Sequence, residues 1–178
     1  TMKLKHFTGL FIALLTVLGV SCSSDNNEPS PTPTPPAPST QAEYLTFRDG
    51  ICCHDVTLAY DKKTGTSTIT TTGTDPYILT SILKKTLPDD SCVLSFKYNA
   101  AATSAPAELQ IFFAQPTSED RSVKLSTPFN TDGSSWQSFA LNIKKLREKL
   151  KWGKKGQYMR FDFGSESGKV IRIRELCV

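Results

Sequence analysis

Histidine, the usual general base and metal ligand of enzymes, is almost missing: the chain has two, His6 and His54. His6 lies in an N-terminal targeting segment. His54 follows Cys52 and Cys53, and three adjacent ligands without further, suitably spaced ones make poor zinc geometry. No nucleophile elbow, phosphate-binding glycine loop or HExxH motif occurs. The sequence therefore predicts no catalytic residues, no metal site and no cofactor, which argues against an enzyme.

Paired carboxylates are also few, and they occur in stretches typical of turns. Asp89 with Asp90 and Glu119 with Asp120 are interpreted as solvated loop residues rather than as an acid/base pair. The charge is not strongly of one sign, since the formal net charge is +4. Such a mild excess is compatible with acidic partners, and nothing in the sequence has a nucleic-acid signature.

Long apolar runs are limited to Phe7–Val20, which follows Lys3 and Lys5 and is too short to span a bilayer as a helix. The next residues, GVSC (19–22), resemble the lipobox of bacterial lipoproteins. The resemblance implies cleavage before Cys22 and lipidation of its thiol, hence a membrane anchor. An ordinary secretory signal with a chance cysteine is the alternative.

The residues after Cys22 read SSDNNE (23–28), which is similar to the export signal of surface lipoproteins in gut glycan-degrading bacteria. This similarity implies an outer-membrane, cell-surface location. Pro29–Thr40 is a Pro/Ser/Thr tract typical of a semi-rigid extended spacer. We thus expect a signal peptide at 1–21, a lipidated cysteine and linker at 22–42, and one domain at 43–178.

Within 43–178 the apolar residues mostly alternate with polar ones, the period of half-buried strands. One short helix is predicted where Ile143, Leu146 and Leu150 form an apolar stripe. About eight to ten short strands separated by turn signals predict an all-β sandwich or jelly roll. The expected strands are Tyr44–Phe47, Val56–Tyr60, Thr66–Thr72, Tyr77–Leu83, Cys92–Tyr98, Glu108–Ala114, the run after Trp136, Tyr158–Gly164 and Val170–Val178.

Several of these segments carry a resemblance to a known family: TTGTDPYI (71–78), LSFKY (94–98), LQIFF (109–113), WGKKGQYMRFDFG (152–164) and IRIREL (171–176). Together they resemble galactose-binding-like jelly-roll modules of gut-bacterial surface lipoproteins and polysaccharide-degrading enzymes. The resemblance implies a non-catalytic carbohydrate-binding module whose partner is a polysaccharide or oligosaccharide. It leaves open a structural calcium ion, a catalytic domain beyond Val178, and the alternative of a structural or protein-interaction domain.

The alternation predicts that one set of polar and aromatic side chains projects from the same side of its strands. A face rich in Arg and Lys would suit an acidic or hydroxyl-rich glycan, although a charge ladder among Arg160, Asp162 and Arg172 would explain part of it. Trp136 and Trp152 are each expected to pack the sandwich, with stacking on a sugar ring as the alternative. Trp152 and Tyr158 are the better candidates for that alternative, because Gly153 and Gly156 place them near a loop. The set on one face is Lys97, Gln110, Phe112, Arg160, Asp162, Arg172 and Arg174.

The domain has four cysteines, Cys52, Cys53, Cys92 and Cys177. An even number in an exported domain permits disulfides. Because Cys52 and Cys53 are adjacent, they would bond to Cys92 and Cys177 rather than to each other. Buried free cysteine is the alternative. The basic run from Lys144 to Lys155 is interpreted as a solvated face, with contact to acidic lipid or glycan as the alternative.

Overall fold

The computed structural model describes residues 42–48, 53–113, 115–125 and 133–178. The expected signal peptide, the lipidation site Cys22, nearly all of the linker, and Cys52 lie outside the described residues. Residues Ala37–Val178 form one compact unit, and every described strand and core residue belongs to it. In the described residues, no helix is long and apolar enough to cross a membrane.

The described chain contains ten strands, one short α-helix and a 3₁₀ turn at Glu119–Arg121. In chain order the elements are β1 (Cys53–His54), β2 (Val56–Asp61), β3 (Thr66–Thr71), β4 (Tyr77–Leu79), β5 (Val93–Asn99), β6 (Leu109–Phe112), β7 (Ser122–Leu125), β8 (Gln137–Asn142), α1 (Lys144–Leu150), β9 (Arg160–Asp162) and β10 (Val170–Cys177).

The strands form two antiparallel five-stranded sheets. Sheet I has the order β1-β4-β9-β6-β7, and sheet II has the order β2-β3-β10-β5-β8. The inward side chains of both sheets make one core, in which the rings of Phe96 from sheet II and Phe161 from sheet I lie 6.0 Å apart. The prediction of an all-β sandwich of the jelly-roll type with one short helix is confirmed.

Helix α1 has the position that its apolar stripe predicted. Ile143 at its start is 1% exposed, and Leu146 and Leu150 pack against the core from a helix that is otherwise exposed. The helix ends at Lys151, which has the left-handed φ of 53°.

Some predicted strands are shorter than expected. Tyr44 and Phe47 make only isolated bridges, to Cys177 and Thr80. The predicted strand Tyr77–Leu83 keeps ladder pairing only over its first three residues, and Tyr158–Gly164 keeps it only over its central three. Thr80 N and Leu83 N donate instead to the carbonyls of Met159 and Gln157, which precede β9.

Candidate functional site on the outer face of sheet I

The side chains predicted to share one face belong to two sheets. Gln110 and Phe112 on β6 and Arg160 and Asp162 on β9 lie in sheet I, whereas Lys97, Arg172 and Arg174 come from sheet II. The outer faces of a sandwich point in opposite directions, so the two groups cannot contact one ligand together. The single-face prediction is wrong because alternation assigns a side within a strand but not the sheet to which that strand belongs.

On sheet II the charged side chains mostly contact one another. Lys97 Nζ lies 2.8 Å from a carboxylate oxygen of Glu175, and Arg174 Nε lies 3.5 Å from the other oxygen. The guanidinium of Arg174 also lies over the ring of Trp136, 4.2 Å from its centroid. Arg172 is exposed beside this group.

On sheet I, three side chains from adjacent strands form a stack. His54 is opposite Tyr77 in the ladder, and their rings stack with centroids 5.4 Å apart and an interplanar angle of 25°. The guanidinium carbon of Arg160 lies 3.6 Å from the centroid of the Tyr77 ring. Because β4 lies between β1 and β9, His54 and Arg160 cover opposite faces of that ring.

Arg160 is held in place by carboxylates. Its Nε and Nη2 donate to the two carboxylate oxygens of Asp162, each at 2.6 Å, and Nη2 lies 3.7 Å from Asp75. Burial lowers the pKa of Arg160, but the bonds to Asp162 outweigh it and the net shift is upward. Burial raises the pKa of Asp162, and Arg160 offsets this only in part. The geometry is the bidentate fork of guanidinium and carboxylate. The charge ladder expected from the alternation is therefore present in part, along one strand, and without Arg172.

The loop that carries Asp75 is fixed by Asp55. The Asp55 backbone carbonyl accepts from Thr72 N at 2.7 Å, and its carboxylate accepts from Asp75 N at 3.1 Å. A Cβ on Gly73 would lie 2.1 Å from that carboxylate, so the close approach requires glycine. His54 Nε2 is 3.9 Å from Asp55 as well.

The two other predicted site residues of sheet I, Gln110 and Phe112, are buried. Gln110 and Phe112 are each only 8% exposed. Gln110 Nε2 donates to Glu119 and to Ser122, both at 2.9 Å, which leaves little of it for a ligand. Around the Tyr77 ring, the accessible side chains are thus His54 and Asp75, at 54% and 67% exposure, beside the partly exposed Tyr77, Arg160 and Asp162. Lys124 on β7 is also exposed on this face, where it forms an ion pair with Glu108.

Sequence reasoning alone does not identify His54, Tyr77 and Asp75 as members of the site. Tyr77 and Ile78 alternate like any strand residues, so the DPYI segment indicates only a turn and a strand. The missing information is the adjacency of β1, β4 and β9, since these strands are distant in sequence.

Trp152 is buried, in agreement with the expectation that it packs the sandwich and against the alternative that it is an exposed glycan-binding residue. It is 3% exposed, its ring meets that of Phe113 edge-on at 5.2 Å, and its Nε1 donates to the carbonyl of Tyr158 at 3.2 Å. The carbonyl of the next residue, Gly153, accepts a hydrogen bond from Leu87 N at 2.7 Å. Tyr158 is half-buried with Arg48 over its ring at 4.9 Å, and its contact with glycan stays a prediction.

Cys92 and Cys177 are free thiols, so their predicted disulfides with Cys52 and Cys53 are wrong. Cys53 is on sheet I, whereas Cys177 is on sheet II with its Sγ 3.1 Å from Ser95 Oγ, and Cys92 directly precedes β5 of that sheet. Within the described ranges, no group of three or more His, Cys, Asp or Glu side chains could hold a metal ion.

No protein-family model matches the sequence, and neither does any curated protein. Solved structures do match. CBM35 from Paenibacillus barcinonensis is 14% identical with a TM-score of 0.45 over 78% of this chain and 93% of its own. A family 11 carbohydrate-binding module of a Clostridium thermocellum cellulosomal cellulase is 14% identical with a TM-score of 0.44 over 76% and 86%. A family 29 module from Piromyces equi is 9% identical with a TM-score of 0.42 over 76% and 89%. The likeness is one of fold.

Proposed function

We propose that the domain is a non-catalytic carbohydrate-binding module that binds an oligosaccharide or polysaccharide on the outer face of sheet I. The observation that carries the proposal is the stack of His54, Tyr77 and Arg160 locked by Asp162. We call these four residues with Asp75 the stacked cluster. The stack is rigid before any ligand arrives, so little conformational entropy is lost on binding.

The stacked cluster combines the two kinds of group that a sugar ring contacts. Strand β1 is the edge strand of sheet I, so the His54 ring face turned away from Tyr77 points beyond the sheet edge. That face suits the C–H side of a pyranose ring. Asp75, at 67% exposure, and the outer edge of the Arg160–Asp162 pair offer acceptors and donors to hydroxyl groups.

The charge balance favours a neutral glycan over an acidic one. Arg160 is the only guanidinium of the stacked cluster, and two carboxylates, Asp162 and Asp75, already lie against it. A ligand carboxylate or sulfate would meet these two negative groups and would compete for a fork that is already occupied. A hydroxyl-rich neutral chain meets no such repulsion.

A binding screen against neutral and acidic glycans, with and without calcium, tests the proposal on residues 37–178. We expect a neutral hit whose affinity falls about ten-fold or more in His54→Ala and Tyr77→Ala, as when one central contact of a binding site is removed. Arg172→Ala, an exposed change on sheet II, is the matched control and should bind normally. The proposal would be contradicted if Arg172→Ala lost glycan binding while Tyr77→Ala bound normally. It would also be contradicted if the domain bound no glycan at all.

We further propose that this module is displayed at the outer-membrane surface through acylated Cys22, alone or ahead of a catalytic domain that acts on glycans. The Pro29–Thr40 spacer, at about 3.1 Å per residue, would let the module reach glycans near the membrane. Labelled palmitate should enter the native chain but not Cys22→Ala, and external protease should remove the domain from intact cells. Equal labelling of both chains would exclude the anchor.

A further inference from the structure

A group of exposed lysines lies at one end of the domain. The segment after β4 and the segment before β9 remain side by side beyond the Leu79–Arg160 pair. Leu83 N donates to Gln157 O at 2.8 Å, and Gly156 N donates to Leu83 O at 2.9 Å. Helix α1 completes this end. The exposed lysines, which we call the basic cluster, are Lys84, Lys85, Lys144, Lys151, Lys154 and Lys155.

An open cleft of about 520 Å³ is lined by three members of the basic cluster. Lys144 and Lys151 border it from α1 and the helix end, and Lys154 borders it from the following turn. Two acidic side chains, Asp89 and Glu148, also line it. Lysine charges therefore predominate on the surface around the cleft.

The lysines of the basic cluster differ from four other lysines of the domain in having no carboxylate partner among the described residues. Lys97, Lys124, Lys149 and Lys169 each form an ion pair with a carboxylate. In the part of the chain that the structure describes, no ion pair involves a member of the basic cluster. Its charges are thus available to an external anion.

Arg147, which also lines the cleft, is not available to an external anion. The Arg147 guanidinium donates to the backbone carbonyls of Leu87, Pro88, Ser91 and Trp152. The basic cluster thus presents flexible point charges and no guanidinium fork of the kind that recognises a single carboxylate or sulfate in a fixed orientation. Such charges suit a dense and laterally mobile array of phosphates.

Two further observations favour a membrane as the partner. Ile82 is 48% exposed and precedes Lys84 by two residues in the segment after β4, so an exposed apolar side chain accompanies the lysines in this segment. The described chain also begins here, since a carboxylate oxygen of Glu43 accepts from Lys84 N. The first described residues therefore lie beside Lys84, a member of the basic cluster. Basic side chains around an apolar one are the composition of interfacial membrane contacts.

We propose that the basic cluster, with Ile82, is a docking surface for an anionic phospholipid membrane. Docking through this end turns Tyr77 and Asp162 away from the membrane, because they lie on the far side of the Leu79–Arg160 pair. The surface is independent of the stacked cluster, and its occupancy leaves the glycan face of sheet I open.

Vesicle co-sedimentation of residues 37–178, which lack Cys22, tests the proposal. The probe is vesicles of equal parts phosphatidylglycerol and phosphatidylcholine, compared with phosphatidylcholine alone. We expect binding to the anionic vesicles only, weakened by salt. Replacing Lys84, Lys154 and Lys155 together by Glu should lower the affinity by about 100-fold or more, since each basic residue near such a surface contributes about five-fold. Ile82→Ser should weaken binding even at high salt.

The control is Lys62→Glu with Lys63→Glu, the same type of charge reversal at two exposed positions in the β2–β3 turn, which should bind within about three-fold of the native domain because the turn lies outside the docking surface. Tyr77→Ala should bind vesicles normally even if it loses glycan, so the two proposals fail separately. Four outcomes would each overturn the membrane proposal. The first two are equal losses of affinity in the two charge variants and binding to vesicles of phosphatidylcholine alone. The others are full competition by inorganic phosphate and binding to an acidic polysaccharide but not to vesicles.

Discussion

Arg160 and Asp162, two residues apart on β9, join through two hydrogen bonds of 2.6 Å, yet the net shift of the Asp162 pKa is upward. A guanidinium in this position normally lowers the pKa of its partner. Here burial of the carboxyl raises the pKa more than Arg160 lowers it, and the nearby Asp75 raises it further. Burial in the sheet therefore affects the Asp162 carboxyl more strongly than the attraction of Arg160 does.

The first prediction concerns the titration of Asp162. We expect its pKa above the ordinary 3.8 in the native domain and higher still in Arg160→Gln, because burial remains while the favourable bonds are lost. Carboxyl chemical shifts followed by NMR against pH measure both values. Asp61 is the internal control, since its hydrogen bond to Thr64 lowers its pKa in either protein.

The raised pKa of Asp162 also determines whether the free energy of unfolding rises or falls with pH. A carboxyl whose pKa is raised on folding stabilises the native state below its unfolded pKa, and that contribution is lost as the pH rises through the folded pKa. Relative to Asp162→Asn, the native domain should thus lose free energy of unfolding as the pH rises from below about 3.8. Urea unfolding at several pH values checks this, and a difference that grows with pH would show that Arg160 outweighs burial.

The second prediction concerns Gly73. Gly73→Ala should push the Asp55 carboxylate aside, since the new methyl would lie 2.1 Å from it, and should release Asp75 N. We expect weaker glycan binding together with a loss of about 1–3 kcal/mol, the range for overpacking. Calorimetry with the glycan identified in the screen and urea unfolding measure the two effects.

A double-mutant cycle separates this clash from a general effect on the loop. Asp55→Ala removes the obstructed group, so adding Gly73→Ala to it should cost much less than Gly73→Ala alone. Additive losses would mean that Asp55 is not the group that requires glycine at this position.

The third prediction concerns Trp152. Because the indole is 3% exposed and packs on Phe113, Trp152→Ala should lower the free energy of unfolding by about 3–5 kcal/mol. Trp152→Phe keeps most of the packing and loses the hydrogen bond to Tyr158, for a smaller cost of about 1 kcal/mol. The glycan affinity of the folded fraction should be unchanged in Trp152→Phe. A loss of glycan affinity without a matching loss of stability would indicate that Trp152 contacts the glycan.

The contrast between Trp152 and Phe161 shows which burials the sequence alone can predict. Alternation around Phe161 predicts a buried strand residue, and the structure confirms it at 0% exposure. Trp152 lies next to a glycine-rich turn, where local pattern suggests a loop, and it is buried against residues distant in sequence such as Phe113. Local periodicity thus indicates the strands and the sandwich, whereas burial in connecting segments depends on partners distant in sequence.

The candidate site is harder to predict for the same reason. Arg160 and Asp162 are identified by the alternation of one strand and do form a pair. Their grouping with Arg172 and Lys97 fails because strand order is a non-local property: β10 pairs with β3 and β5, and β9 pairs with β4 and β6. The same missing strand order hides His54 and Tyr77, which become neighbours of Arg160 only when β1, β4 and β9 align.

The last prediction concerns Arg147, which cross-links α1 to the segment before β5 through backbone carbonyls. Lysine at this position cannot reproduce the planar fork, so Arg147→Lys leaves several partly buried carbonyls without a donor. We expect a loss of about 2–4 kcal/mol of unfolding free energy, since each unsatisfied group costs about 1–3 kcal/mol and the lysine recovers some of them. Arg172→Lys, the same change at an exposed position, should cost under about 0.5 kcal/mol. Equal small losses in both would mean that water replaces the guanidinium and that α1 is held by Leu146 and Leu150 alone.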